Sequence, residues 1–390
     1  MSNEVPLRVW ASDLSPYALK LRAMLDFVGA AYRWLPESGT WGEGASLLAR
    51  IAWAKRRRTA IRHPRTQPLD EYPMVPFLAA ADGRIYYDSS ALARWLDETH
   101  PSSSGPLVPA EAELAFLASL VDEAFDEFGL YMVHHNRWVL SADTNRAGAR
   151  LAEEFAPVLS APLAARQGRG FPRRQTRRLP YLFSVAPPGA KPGPAGPLPS
   201  PHGFPPTHAL LDEAWETYLA AMEEVLRSQP YLLGERFTVA DASAYGQLSM
   251  NLVDGRAADR LRELAPTTFS WLCSIRDGGH TTSCGRLHHS PALHSLLAVI
   301  ARTFVPLMQQ NEAAYRSAHE GGETLFNERA FDAGRALYDG QLLGHPFRAV
   351  VKTFQVQVWR ELRAGFAELS APQRRILPEE IARALGGSNL

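Results

Sequence analysis

The sequence of 390 residues is poor in cysteine: Cys273 and Cys284 are its only two, too few for a disulfide framework, and a reducing compartment is expected. It also lacks net charge. Its 41 basic and 41 acidic side chains cancel, so no overall field recommends nucleic acid or an anionic membrane as partner. No run approaches the roughly 20 consecutive apolar residues that cross a bilayer, and Met1 to Trp10 has neither the basic start nor the apolar stretch of a signal peptide. A cytoplasmic location is therefore expected. A metal site is not: His280, Cys284, His288 and His289 show four-residue spacings without a second spaced pair, the pattern of a loop surface.

What is present suits a globular chain of two packed domains, with 46% apolar and 21% charged residues. The first hundred residues alternate short β-branched or aromatic runs with helical patterns. Leu7 to Ala11 reads as a strand and Pro16 to Val28 as a helix with proline in its first turn and Gly29 as its stop; Tyr32 to Leu35 completes a βαβ unit. Residues 37–72, with the run Lys55 to Arg58, interrupt this pattern as an insertion that carries a helix near Ala45 to Arg57. Met74 to Leu78 and Arg84 to Tyr87 then form strands around an Asp82-Gly83 turn, and Ser90 to Thr99 a helix.

A linker follows residue 101. From about 107 to 390 the period is helical throughout, with Leu114, Leu117, Val121, Phe125 and Phe128 on one face. Between about 160 and 207 the chain turns basic and then rich in proline and glycine, a composition that reads as an excursion without a core. Its Arg173, Arg174, Arg177 and Arg178, like Lys55 to Arg58, read as solvated loops. A helical extension starts near residue 291 and includes a last helix through Val351, Phe354, Val358, Leu362 and Phe366.

Three patches in order carry a resemblance. They are Ser15-Pro16-Tyr17 at the turn from strand to helix; Tyr72-Pro73-Met74-Val75-Pro76-Phe77 followed by Asp88-Ser89-Ser90; and Tyr231-Leu232-Leu233-Gly234 followed by Thr238-Val239-Ala240-Asp241. Together they resemble the glutathione transferase superfamily. The resemblance implies an α/β thioredoxin-like N-terminal domain, residues 1–101, followed by a larger all-α domain, residues 107–390. It implies that Ser15 faces the sulfur of glutathione, with Tyr17 beside it. Val75 would pair with the cysteinyl backbone through a cis Pro76, and Asp88 and Ser89 would hold the γ-glutamyl end, with Asp88 shorter than the more usual Glu or Gln. Thr238 and Asp241 have the spacing of a capping box, a structural role.

Those residue types suit the chemistry. A thiol of pKa about 8.5 is mostly protonated at neutral pH, and a helix N-terminus with a hydroxyl donor favours the thiolate. Phe125, Tyr131, His134, His135 and Trp138 offer a wall for a second, hydrophobic electrophilic substrate. Lys20 and Arg22 read as structural charges. Conjugation of glutathione to an electrophile is the first expectation, with glutathione as co-substrate and no metal. Glutathione-dependent ether or halide cleavage would use the same site, and a non-catalytic binding or scaffolding protein is the reading from another class. The resemblance also implies a homodimer.

Overall fold

Leu7 and Val9 turn one way and Trp10 the other, and this alternation places strand β1 (Leu7–Trp10) between two apolar layers. The computed structural model describes residues 6–57, 75–190 and 198–387, with 55–57 as backbone only. Tyr72-Pro73-Met74, Arg58 and the side chains of Lys55, Arg56 and Arg57 lie outside the described residues. Helix α1 (Pro16–Val28) is capped by Ser15 and stopped by Gly29, whose φ of 68° is the left-handed conformation glycine adopts without strain. Strand β2 (Tyr32–Leu35) pairs parallel to β1, and helix α2 (Trp41–Arg57) follows. Strands β3 (Phe77–Ala79) and β4 (Ile85–Tyr86) complete a sheet of order β2-β1-β3-β4, with β3 antiparallel to both neighbours. Helix α3 (Ser89–Thr99) packs beside α1 on one face of the sheet, and Leu47 and Ile51 of α2 cover the other.

The remainder is mostly helical. Helix α4 (Ala112–Ala124) runs through a π-turn at Phe125–Gly129 into α5 (Leu130–His135) and a second π-turn at Asn136–Leu140. Then come α6 (Ala147–Phe155) and α7 (Ala161–Arg177), α8 (His208–Ser228), α9 (Val239–Leu248), α10 (Gly255–Leu264) and α11 (Pro266–Arg276). The capping box at the start of α9 is present: Asp241 accepts from the Thr238 N–H at 2.9 Å and, from the preceding loop, the Leu232 N–H at 2.8 Å. α9 lies against α1 so closely that a Cβ on Gly246 would stand 2.6 Å from the carbonyl oxygen of Pro16.

Two expectations fail here. The basic, glycine- and proline-rich excursion contains the 17-residue helix α7 and buries Leu179, Tyr181, Phe183 and Val185. Its Gly168 meets Gly148 of α6, where either Cβ would lie within 2.5 Å of the other's carbonyl oxygen, so the glycines permit close helix contact instead of breaking the helix. The tail is not all helical either. After α12 (Leu293–Arg302), α13 (Phe304–Glu320) and α14 (Asn327–Asp332), strands β5 (Leu337–Leu342) and β6 (His345–Val350) form a hairpin. Leu343 and Gly344, at φ 50° and 77°, make its two-residue turn. Helices α15 (Thr353–Glu368), α16 (Ala371–Arg374) and α17 (Glu379–Gly386) follow the hairpin.

His280 also departs from the loop-surface reading. It is buried, with Nε2 2.9 Å from the Ala23 carbonyl oxygen and its ring against Phe237, while Cys284 and His288 are exposed.

Candidate active site

The turn from β1 to α1 opens into a cavity of about 740 Å³. Ser15 stands at its edge as the helix cap, half-buried; its Oγ accepts a long bond of 3.4 Å from the Ala18 N–H, which leaves its proton to be donated. Pro16 at the first helical position has no N–H to satisfy, and the first turn of α1 carries no acidic residue. Tyr17 lines the same cavity, but its hydroxyl donates to the Asp126 carbonyl at 3.0 Å, a bond that ties α1 to the π-turn after α4. Behind the turn, Glu154 of α6 accepts from the Ser12 hydroxyl at 2.5 Å and the Asp13 N–H at 3.1 Å. Burial pushes the Glu154 carboxyl up to about 7 despite both bonds.

Val75, Pro76, Asp88 and Ser89 line the cavity as well, and the Val75–Pro76 peptide is cis. Asp88 caps α3: its Oδ1 accepts from the N–H groups of Ser90 and Ala91 at 3.1 and 3.2 Å, from a backbone at φ 71°. Burial raises its carboxyl above the usual carboxylate range, against those N–H bonds and the nearby Lys20 ammonium.

Lys20 is fully buried and holds α1 to α4. It donates to Asp122, to Asp126 Oδ2 at 2.7 Å and to Ser90 Oγ at 2.7 Å. Burial alone would pull the ammonium down, but the two carboxylates outweigh it and hold it above its ordinary value. Arg22 pairs with Asp13 at 3.0 Å and lies over Trp34, a structural role like that expected of it. The sequence reading missed the acidic lining beside Asp88, made of Glu123, Asp126 and Glu127. A signal existed, since Asp122 and Asp126 are charges set one helical turn apart within an apolar stripe.

Of the expected wall, Tyr131, His134 and Trp138 line the cavity, whereas Phe125 packs into the core against Tyr218. His135 points away and meets Ser184 at 3.1 Å, as adjacent helix positions require. His134 is kept neutral by burial, which lowers it to about 3; its Nε2 lies 3.2 Å from Gln175 Oε1. The arginines assigned to a solvated loop are a correction of consequence. Arg174, Arg177 and Arg178 line the cavity, together with Glu328, Lys352, Phe354 and Gln355 from the tail.

No group of three or more metal-ligating side chains exists among the described residues, and none of their helices is long and apolar enough to cross a membrane. No curated protein matches the chain. Among solved structures, a glutathione S-transferase from Rhodospirillum rubrum F11 is 18% identical, covering 75% of this chain and 91% of its own, with a TM-score of 0.38. The beta-etherase LigF from Sphingobium sp. strain SYK-6 is 16% identical over 75% of this chain and 99% of its own, with a TM-score of 0.40. A maleylacetoacetate isomerase from Anaeromyxobacter dehalogenans 2CP-1, with glutathione bound in its active site, is 20% identical over 70% and 95%, with a TM-score of 0.30. Residues 14–99 match the glutathione S-transferase N-terminal domain and residues 205–269 the C-terminal domain. With a β2-β1-β3-β4 sheet ahead of a mostly helical region, the chain thus carries, in order, segments that match the N-terminal and C-terminal domains of the glutathione S-transferase family.

Proposed function

We propose that the protein joins the thiol of glutathione to an electrophilic small molecule. One observation carries this reading: Ser15 at a helix N-terminus, the Val75–Pro76 segment, the Asp88–Ser89 pair and an aromatic wall share a single cavity. In this reading the sulfur lies at the start of α1, where the partial positive charge and the Ser15 hydroxyl stabilise the thiolate. Val75 supplies backbone bonds to the cysteinyl residue, as an added strand would. The γ-glutamyl end meets Asp88 and Ser89, and the electrophile occupies the space beside Trp138 and Tyr131. A cytoplasmic setting would supply the glutathione.

The test is the thiolate absorbance of bound glutathione, titrated against pH in wild type and Ser15→Ala. Losing the donor should raise the pKa of the bound thiol and cut turnover on the order of 10 to 1,000-fold, nearer the lower figure because the helix N-terminus remains. Glutathione affinity at neutral pH should hardly change. Identical titration curves would remove Ser15 from the chemistry, and a wild-type pKa no lower than that of free glutathione would leave a binding protein instead of an enzyme.

A further inference from the structure

Between Glu154 and Asp212 the chain has no acidic residue, yet it carries Lys191 and six arginines: Arg166, Arg169, Arg173, Arg174, Arg177 and Arg178. In a sequence whose charges cancel overall, this is a local excess of one sign. All six arginines stand on α7 or at its C-cap. They fall between the two matched family segments, residues 14–99 and 205–269, so this charge lies in a stretch that neither match covers.

At 3.6 residues per turn, Arg166, Arg169, Arg173 and Arg177 fall within about 80° of one another and form a stripe about 16 Å long. All four are exposed, while the opposite face buries Ala164 and sets Gly168 against α6. Arg256, Arg276 and Arg335, also exposed, are matched within the chain by Asp143, Asp277 and Glu323, and Arg178 is matched by Glu328. None of the four in the stripe has an ion pair or hydrogen bond among the described residues. Arg169 and Arg173, like Arg173 and Arg177, are like charges four positions apart, an arrangement that weakens a helix. The helix dipole favours Arg177 in the last turn but does nothing for Arg166 and Arg169. The stripe therefore carries an internal cost without an internal partner.

Three kinds of polyanion could offset that cost, and the helix discriminates between them. A bilayer surface needs an apolar face to enter it, and Leu163 is the one large apolar side chain that α7 exposes. A nucleic acid needs stacking surfaces beside the cations, and Phe171, the only aromatic of α7, lines the cavity. A carboxylate needs a guanidinium fork, and every cation of α7 is an arginine. We infer that the outer face of α7 docks an acidic segment of another protein, a helix whose carboxylates repeat at the same three- and four-residue spacing. Arg166, Arg169 and Arg173 lie outside the cavity lining, so the surface does not depend on the glutathione-transfer reading; Arg177 lines the cavity, so the docked segment stands at its rim.

The probe is a fluorescent 16-residue peptide of alanine, glutamine and four glutamates spaced by three, four and four, compared by anisotropy with an isomer whose glutamates are scattered around the helix. At low salt the striped peptide should bind the full-length protein, and 0.5 M salt should abolish most of that binding. Arg169→Gln combined with Arg173→Gln should weaken it roughly 2- to 30-fold, the range for two exposed ion pairs. The same variant should keep its melting temperature and its affinity for glutathione. No binding of the striped peptide up to about 1 mM at low salt would overturn the inference, as would equal binding of the scattered isomer or an affinity unchanged in the double variant. The isomer comparison is made on the wild-type chain and so stands whatever the variant does. A double-stranded oligonucleotide, or vesicles containing phosphatidylserine, that bound more tightly than the peptide and lost that binding in the double variant would overturn the choice of partner.

Discussion

Asp88 does two things that a single substitution can separate. As a cap it needs an acceptor oxygen and tolerance of a φ of 71°, and asparagine has both. As a partner for an ammonium it needs charge, which asparagine lacks. Asp88→Asn should therefore keep the melting temperature while weakening glutathione by about 1 to 3 kcal/mol in calorimetry; a variant that melts early yet binds normally would make Asp88 a cap and nothing more. Glu154 behind the Ser12–Asp13 turn allows a test by pH. Its folded value of about 7 lies above the ordinary 4.5, so the folded state holds this proton more tightly than the unfolded chain does. That contribution to stability is complete below about pH 4.5 and is lost as pH rises through 7. In Glu154→Gln, the melting temperature relative to wild type should climb between pH 5 and 8, roughly the window the two values bracket. A constant difference across that window would mean that Glu154 titrates normally. Ser15 was legible from the sequence because a cap followed by proline is a local signal. The Tyr17 hydroxyl was not, since its partner lies 109 residues away.

Elements repeat this contrast. The strands and helices of the first hundred residues were readable from period and turn chemistry because each is decided within about a dozen residues. The helix α7 was hidden because Gly168, Gly170 and Pro172 are loop signals by local rules. Here Gly168 is required by the approach of the Gly148 carbonyl, and the Pro172 ring lies 3.0 Å from where a Cβ on Gly148 would stand. The hairpin of β5 and β6 was hidden for the converse reason, since its turn uses Leu343 in the left-handed region, which sequence rules reserve for glycine, asparagine or aspartate. A direct consequence is that Gly168→Ala should force α6 and α7 apart, at a cost of about 1 to 3 kcal/mol in thermal or urea denaturation. Because α7 carries Phe171, Gln175 and Arg178 into the cavity, the variant should also change the binding of aromatic ligands and leave glutathione affinity alone. An unaltered melting curve would mean that the two helices have room to spare.

For the whole molecule, a homodimer of twice 43.1 kDa is the expected state, in keeping with the commonest two-fold symmetry and with Trp41 and Trp53 of α2 exposed by 69% and 54%. Light scattering at micromolar concentration decides it, and a monomeric mass would rule it out. Within one chain, Lys20 and its two carboxylates already join the sheet region to the helical one through buried charges, which makes independent movement of the two halves costly. The cavity they flank draws its walls from Trp10 at one extreme of the sequence and Gln355 at the other. In biosynthesis, then, about nine-tenths of these 390 residues must have left the ribosome before that enclosure exists at all. The sheet and its neighbouring helices can settle early during translation, while the aromatic side stays open to solvent and to chaperones until Lys352 arrives to complete it.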